Sequence, residues 1–359
     1  LIDELYEICQ KNGVKLAIRD FVYRLGEVKD MLKAISAIDD RVAVMSKCVP
    51  HDWHPYYPDN PVLGKVGAKE QWIEFDLGHE YEMQTSLPYA EPRELLARMK
   101  NAFRLGINTV CLRLDRYDAG PEQQSSAIYR PWGQLELEVF SRFKQNPDVT
   151  AEEIISMWER RQFPGAWQVL DLSTRIVKRM LFPKKQWLAN HSNLPKFEYA
   201  RTHLKGGNAD RLSVWTGLEE DAVSEALCDK PTPEWYASIK AEDEQNVRDL
   251  EKLDDILKEN GVVLENASAW AKGLKALKEW VPLFKAYKSA YFAIRLHQSR
   301  PTAISTNDIR LLLDDLERTC QRFRRELPDF KLHTQLAWET HEEVIQSLKE
   351  QIHLISSSE

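Results

Sequence analysis

The sequence predicts an α/β region, half of an eight-stranded (β/α)8 barrel, followed by an all-helical domain. Short apolar runs rich in β-branched residues recur at a spacing of roughly 30 residues, the length of one βα unit. Amphipathic helical patterns lie between them, which favours a parallel sheet covered by helices. Beyond these units the periodicity is helical throughout. We therefore expect two domains, residues 1–130 and 131–359.

The first domain is predicted from four strand patterns and two helices. The strands are residues 14–20, 41–47, 71–77 and 107–114, and the helices before the second and fourth strands are residues 27–38 and 92–106. Half a barrel has two open edges and an uncovered core. We therefore expect either further strands upstream of this chain or a different, open sheet.

The beginning of the chain differs from a usual start. Leu1 is not an initiator methionine, and residues 1–13 have the pattern of an amphipathic helix ending at a glycine, unlike a signal peptide. We therefore expect the chain to begin within a larger product.

The second domain is predicted from helical periodicity. Thr150 and Glu153 form a capping-box pattern, and Pro233 occupies a first helical position. The predicted helices are residues 134–146, 151–163, 166–182, 233–261, 268–298, 307–327 and 333–355, with an irregular segment at 183–231. Their apolar faces indicate a core, and the alternative is a seam of a homodimer.

Composition narrows the function classes. With 43% hydrophobic and 29% charged residues the chain resembles an ordinary globular protein. A net charge of −7 without a basic stripe argues against nucleic acid, and no apolar run is long enough for a membrane span. Five widely spaced cysteines do not suggest a disulfide framework, which fits a reducing compartment, although isolated thiols also occur in exported proteins. The location is left open, with the cytoplasm or the periplasm favoured. The sequence has no Gly-rich phosphate loop, no GxSxG elbow and no CxxC pair, so nucleotide-dependent, serine-hydrolase and thioredoxin-type functions lose their usual support.

Two loops after predicted strands carry the candidate active-site residues. Asp52 and Trp53 follow the second strand, and Glu80 and Tyr81 follow the third. Barrel enzymes place their sites at the carboxyl ends of the strands, and carboxylates beside aromatic rings suit glycoside hydrolysis. The alternative is that acidic and aromatic residues in loops are ordinary surface features.

The same loops allow a metal site as an alternative. Cys48, His51, His54 and His79 have ligand-type side chains at plausible spacing. Pro50 interrupts the loop, however, and no recognised zinc signature is present. We therefore expect no metal and no other cofactor, and interpret these histidines as hydrogen-bond donors to a polar ligand or as packing residues.

Two cations lie near the ends of the first and second strands. Arg19 and Lys47, if aimed into the pocket, would suit an anionic substrate such as a sugar carboxylate. The alternative is that each pairs with a neighbouring acid, for example Asp20 or Glu74. The sequence leaves both possibilities open.

Four stretches then carry a family resemblance, in the right order and over roughly residues 1–180. They are RDFVY at 19–23, KCVPHDW at 47–53, EFDLGHEY at 74–81 and RFKQNPDVTAEEI at 142–154. These resemble motifs of the α-glucuronidases, glycoside hydrolases that remove glucuronic acid or its 4-O-methyl ether from xylan-derived oligosaccharides. Cys48 and Val49 depart from the family's Asn-Gly, and Trp53 replaces its Phe.

The resemblance implies the C-terminal half of a TIM (β/α)8 barrel followed by a helical domain. It implies an inverting hydrolase in which Asp52 and Glu80 activate the water. Arg19 and Lys47 would hold the glucuronate carboxylate, with Trp53, His54 and Tyr81 also binding the substrate. The general acid of the family would lie upstream of this chain.

Two other function classes remain open at this stage. One is a non-catalytic carbohydrate-binding relative that lacks the general acid, and the other is a metal-dependent hydrolase. The expected partner is an oligosaccharide substrate, with a homodimer through the helical domain left open, and with neither nucleic acid nor membrane as a partner.

Overall fold

The fold combines a small parallel sheet with many helices. The computed structural model describes residues 1–51, 54–114, 127–205, 207, 209–266, 268–328 and 340–356. Its sheet has four parallel strands in the order β1-β2-β3-β4. The strands are β1 Ala17–Arg19, β2 Ala43–Lys47, β3 Gln71–Asp76 and β4 Thr109–Arg113. All four predicted strands are therefore confirmed, while the assignment to half a barrel stays a prediction.

The register of the strands gives the sheet two different faces. Residues paired in register point to the same side, and every second residue of a strand shares that side. Lys47 pairs with Glu74, and Glu74 pairs with Cys111. Two residues further along β3, Asp76 pairs with Arg113. One face therefore collects the charged residues at the carboxyl ends of the strands, and we call it the charged face.

The opposite face packs against helices and supplies apolar residues to the core. Val44 belongs to a buried cluster with Ile35 of the second helix. Phe75 lies edge-to-face with Phe140 of the fourth helix, with 5.1 Å between ring centroids. The helices of this region are α1 Ile2–Lys11, α2 Val28–Ser36 and α3 Pro92–Arg104, close to the predicted bounds.

The remaining described elements are helices. Thr150 caps α5 through a capping box, as predicted, and Thr232 caps α10. In the described part of the chain, no helix is long and apolar enough to cross a membrane. The helices are α4 Pro131–Gln145, α5 Ala151–Glu159, α6 Ala166–Leu181, α7 Phe197–His203, α8 Leu212–Thr216, α9 Glu219–Asp229, α10 Pro233–Glu259, α11 Ala269–Ser299, α12 Thr306–Glu326 and α13 His341–Ser356.

The prediction that residues 183–231 are irregular is wrong in part. Helices α7, α8 and α9 lie within this segment. Its glycines separate short helices instead of preventing them, since Gly217 is in the left-handed region with φ of 68° and ends α8. Acidic residues in the first turn of α9 then favour a new helix. Of the predicted helix at 333–355, residues 333–339 lie outside the described part.

One hydrophobic core joins the sheet to the helices. A single cluster contains Ile73 and Phe75 of β3 together with Trp132, Phe284 and Ile352 from the helical part. Helix α11 is buried around most of its circumference, which agrees with the predicted core role of its aromatic residues. The division at residue 131 and the homodimer stay predictions.

Close packing of α11 yields a testable consequence at Gly273. A Cβ at this position would lie 2.9 Å from Trp132 Cη2 and 3.0 Å from Pro88 Cδ, both rigid groups. Overpacking of this kind costs about 1–3 kcal/mol, against about 1 kcal/mol gained from helix propensity. We expect Gly273→Ala to lower the free energy of unfolding measured by urea denaturation.

The matched control is Gly26→Ala. Gly26 has no heavy atom within 4 Å of its built Cβ and no left-handed backbone, so this variant should leave the free energy of unfolding almost unchanged. A Gly273→Ala protein as stable as the wild type would contradict the packing described here.

Candidate active site at the carboxyl ends of the strands

Glu74 is the centre of the charged face. Its side chain is 4% exposed and forms an ion pair with Arg19. Lys47 Nζ lies 4.0 Å and Arg113 Nη1 lies 3.6 Å from Glu74 Oε1, and Arg113 Nη1 is also 3.8 Å from Asp76 Oδ2. Three cations from β1, β2 and β4 thus surround a carboxylate of β3. Such pairing offsets the large cost of taking a carboxylate out of water.

Phe21, which follows β1, covers the buried end of this charge cluster. The ring of Phe21 lies 5.0 Å from Lys47 Nζ and 5.9 Å from Arg19 Cζ, distances at which a ring attracts a cation. The side chains of Arg19 and Arg113 are still 39% and 27% exposed. The cluster is therefore closed on the side of Lys47 and open to solvent at its two arginines.

The loop after β3 carries Glu80 and is tied to the helical part. Glu80 Oε1 lies 2.6 Å from His191 Nδ1, and both side chains are largely buried. Ser192 Oγ donates to the carbonyl of Glu80 at 2.9 Å and accepts from the backbone N–H of Met83 at 2.8 Å. His191 and Ser192 of the helical part therefore fix the loop after β3, His191 through the side chain of Glu80 and Ser192 through the backbone of the loop.

The loop after β2 meets the same segment of the helical part. His54 Nε2 lies 2.9 Å from the carbonyl oxygen of Lys185, and the His54 ring stacks on Tyr57 at 4.7 Å. Burial lowers the pKa of His54 to about 3, so the ring is neutral and Nε2 donates to this carbonyl. The segment 183–192 thus contacts the loops that follow both β2 and β3.

Backbone strain is concentrated at this junction. In the described part of the chain eight non-glycine residues have positive φ, and all lie in the two segments that meet here. Such conformations cost of order 1 kcal/mol or more each and tend to occur at functional sites. They are His79, Met83, Gln84, Thr85, Lys184, Lys185, His191 and Ser192, with φ between 42° and 76°.

A buried acidic cluster surrounds His79 beneath this loop. His79 Nε2 lies 2.8 Å from Glu136 Oε2, and His79 Nδ1 lies 3.7 Å from Glu82 Oε2. Burial disfavours the charged imidazole, but Glu136 and then Glu82 outweigh it and raise the pKa of His79 well above its usual range. Burial in turn raises the pKa of Glu82 despite the neighbouring His79. The cluster therefore holds an imidazolium paired with Glu136.

A cavity of about 120 Å³ connects this cluster with the charged face. Glu74 and Asp76 line it from β3, and His79, Glu82 and Glu136 line it from below the loop. Arg98, His54 and several apolar side chains are also part of the lining. The cavity lies at the carboxyl edge of the sheet, where parallel-sheet proteins place their ligand sites.

The predicted site residues have different outcomes. Asp52 and Trp53 lie outside the described residues. Arg19 and Lys47 lie on the charged face, and both approach Glu74, which is the alternative that the sequence left open. Their binding of an anionic ligand stays a prediction. The catalytic role of Glu80 and the substrate-binding roles of His54 and Tyr81 stay predictions.

The four proposed metal ligands have separate environments. Burial raises the pKa of Cys48 to about 12, and His51 lies edge-on to Tyr57 at 4.4 Å. His54 is bonded to a carbonyl and His79 to Glu136. Among the residues that the structure describes, no three His, Cys, Asp or Glu side chains converge on a position for a metal ion.

Several site residues were not singled out from the sequence. Arg113 lies at the end of β4, and Glu74 was considered only as a partner of the cations, although alternation along β3 places Glu74 and Asp76 on one face. His191, Ser192 and Glu136 are distant in sequence from the strands and carry no local motif that could have identified them.

Comparison with known proteins finds solved structures that resemble this one but does not assign the chain to a protein family. Eleven solved chains match this structure. One of them is described as a GH138 enzyme targeting pectin rhamnogalacturonan II, with a TM-score of 0.59 and 11% sequence identity. The match covers 99% of this chain and 47% of that chain, so this chain spans about half the length of that protein. No protein-family model matches, and no curated protein does either.

At this identity the likeness shows a shared fold. Fold and geometry together define a small parallel sheet with a candidate site at its carboxyl edge, supported by a large helical part.

The His79–Glu136 pair predicts a pH-dependent contribution to stability. The folded-state pKa of His79 lies above the usual 6.5, so the contribution is full below that pH and is lost as the pH rises through the raised pKa. His79→Asn removes the charge, and Asn tolerates the φ of 48°. We expect this variant to lose about 3 kcal/mol near pH 6, measured by urea denaturation, and less at higher pH.

His353→Asn, at an exposed position of α13, serves as the control and should show no such pH dependence. A deficit for His79→Asn that stays constant or grows with pH would contradict a charged imidazole in the cluster.

Proposed function

We propose that the chain forms part of a glycoside hydrolase site for glycans that bear uronic acids. The observation that carries the proposal is the pair of partly exposed arginine side chains at the carboxyl edge of the sheet. The side chains of Arg19 and Arg113 are 39% and 27% exposed, and the buried Lys47 adds a third positive charge beside them. A sugar carboxylate suits such a group of cations. The structural likeness to an enzyme described as targeting pectin supports the same class of substrate.

Each group of the charged face has a role in this proposal. Arg19 and Arg113 are the exposed cations, and a guanidinium can bind a carboxylate through two parallel hydrogen bonds. Lys47 is buried and supplies a fixed positive charge behind Glu74. Glu74 is the carboxylate held nearest to a bound uronate, where it can stabilise positive charge developing on the sugar ring.

Asp52 and Glu80 remain the proposed water-activating pair of an inverting, α-glucuronidase-like reaction. Glycoside hydrolysis of this kind needs a base for the water and an acid for the leaving oxygen. His54, Trp53 and Tyr81 are the proposed contacts to the sugar, together with the cations. No cofactor enters the proposal.

The reaction is tested with the full-length product and two substrate panels, aldouronic acid oligosaccharides and oligogalacturonides. We expect release of a uronic acid, with the β-anomer appearing first by NMR from an α-linked substrate. Glu74→Gln should lower kcat about 100-fold or more, and Asp52→Ala or Glu80→Ala should abolish release.

Glu70→Gln is the matched control, because Glu70 lies before β3 and forms an exposed ion pair with Lys15. It should retain the wild-type kcat. No release from either panel, with binding of the oligosaccharides intact, would support the non-catalytic carbohydrate-binding alternative. Unchanged turnover in Glu74→Gln would remove Glu74 from the mechanism.

The partly exposed side chains of Arg19 and Arg113 predict a preference for ionised substrates. Arg113→Gln should raise KM for a free uronoside about 10- to 100-fold, since a charge-assisted hydrogen bond contributes about 1.5–3 kcal/mol. The methyl ester of the same sugar has no charge and should show little change. Steady-state kinetics on the acid and its ester measure this discrimination.

Arg104→Gln changes an exposed arginine at the end of α3 and should leave both KM values unchanged. Equal effects of Arg113→Gln on the acid and on its methyl ester would contradict recognition of the sugar carboxylate by this arginine.

A further inference from the structure

The pair formed by Glu80 and His191 is built from two distant parts of the chain. Glu80 Oε1 and His191 Nδ1 are 2.6 Å apart, within hydrogen-bonding distance. The Glu80 side chain is 4% exposed and that of His191 is 14% exposed, so the carboxylate lies behind the imidazole. A buried carboxylate behind a partly exposed imidazole is the arrangement that orients a histidine for proton transfer.

We infer that His191 is the group that accepts the proton of the hydrolytic water, and that Glu80 acts through it. This inference rests on the proposed hydrolase function. It changes the role of Glu80 from direct contact with water to the positioning of an imidazole, and it adds to the site a residue from the helical part of the chain.

The hydrogen bond defines which ring nitrogen is the base. An ionised carboxylate can only accept hydrogen bonds, so the proton of a neutral His191 must be on Nδ1. Its Nε2 then carries the lone pair. Nε2 makes no hydrogen bond to any residue that the structure describes. It is also not fully enclosed by protein, since the buried polar atoms that lack a partner do not include it. The basic nitrogen is thus left for a ligand.

The surroundings hold the imidazole in one orientation. The ring of Tyr81 lies 4.9 Å from that of His191 at an interplanar angle of 30°. His191 and Ser192 have φ of 42° and 76°, and Ser192 bonds to the loop on both sides, to the carbonyl of Glu80 and the N–H of Met83. A backbone held in sparsely populated conformations by several contacts is typical of residues whose direction matters.

His191 contacts the loop that leads away from the charged face. Its partner Glu80 belongs to the loop that continues β3 beyond Glu74 and Asp76, and His79 of the same loop lines the cavity with these two residues. The segment that carries His191 additionally contacts the loop after β2 through Lys185 and His54. The segment that carries the imidazole thus contacts the loops after β2 and β3, which leave the sheet at the edge where the charged face lies.

In the step proposed here, a water oxygen forms a bond to the anomeric carbon while the bond from that carbon to the aglycone oxygen breaks. His191 Nε2 takes one proton of the water. The aglycone oxygen takes a proton from a carboxylic acid, the general acid of the reaction. Loss of the proton from His191 and re-protonation of that acid restore the starting state.

The first experiment needs no substrate. Diethyl pyrocarbonate modifies histidines that expose an unprotonated ring nitrogen, and mass spectrometry locates the modified residue. We expect His191 to react in the wild-type protein, and about tenfold more slowly in Glu80→Gln, whose side chain can turn a donor NH2 group toward Nδ1 and so no longer fixes the proton on that nitrogen. His353, exposed on α13, is the internal reference and should react equally in both proteins.

The second experiment measures kinetics on whichever uronoside the wild-type protein hydrolyses. His191→Gly suits the positive φ and leaves space for free imidazole. We expect kcat to fall about 100- to 10,000-fold with KM nearly unchanged, and added imidazole to restore part of kcat. A merely structural role would give a less stable protein that imidazole does not rescue.

The outcomes separate the two proposals. No reaction of His191 with diethyl pyrocarbonate, or an unchanged kcat in His191→Gly, overturns the inference while leaving the hydrolase function in place. Failure of imidazole to restore kcat also overturns it. A wild-type protein that hydrolyses no uronoside overturns the proposed function, whereas a reactive His191 that depends on Glu80 would still support the oriented imidazole.

Discussion

The burial of Glu74 is the constraint on which the charged face depends. A carboxylate that is 4% exposed needs compensating charge, since the penalty for an unpaired buried ion is several kcal/mol. The compensation comes from three different strands, through Arg19, Lys47 and Arg113. A slip of one residue in the register would turn these side chains to the face that packs on helices. Strand register and electrostatics therefore stabilise one another, and the site is a consequence of both.

The helical part acts as a scaffold for the loop after β3. Trp132 Nε1 donates to the carbonyl of Thr85 at 3.0 Å, and Ser173 Oγ donates to the carbonyl of Pro88 at 2.5 Å. These side chains belong to α4 and α6, so the loop is bonded to two helices before it enters α3. Since the same core contains Ile73 of β3 and residues of α11, movement of the loop relative to the sheet would disturb packing throughout the chain.

Local patterns were sufficient to predict much of the fold. The strands were recognisable because short β-branched runs alternate with helical periodicity. The cap at Thr150 and the start of α10 at Pro233 follow directly from side-chain chemistry. The short helices α7 to α9 were missed because their glycines were interpreted as disrupting helix, whereas Gly217 only ends one. Here tertiary packing supports helices too short to be evident from periodicity.

The candidate site was less predictable, for a different physical reason. Arg19 and Lys47 could be placed at strand ends from sequence, but their contacts with Glu74 depend on which strands are neighbours. His191 is 111 positions away from Glu80, and no local pattern brings the two together. A residue that matters because of a single long-range contact has no signature of its own in the sequence, unlike a helix cap or a strand.

The distribution of strain follows from the same long-range contacts. Eight non-glycine residues in the described part have positive φ, and the pairs His191–Ser192 and Lys184–Lys185 lie in the segment that meets the loop of His79 to Thr85. At roughly 1 kcal/mol or more each, these conformations need compensation, which the buried hydrogen bonds of Ser192 and the surrounding core supply. Glycine at these positions would relieve the strain at no steric cost, yet the chain has side chains there. Two of these side chains bond directly to Glu80: the imidazole of His191 to its carboxylate and the hydroxyl of Ser192 to its carbonyl. Glycine has no side chain and could provide neither group, so the strained backbone serves to place these two groups against Glu80.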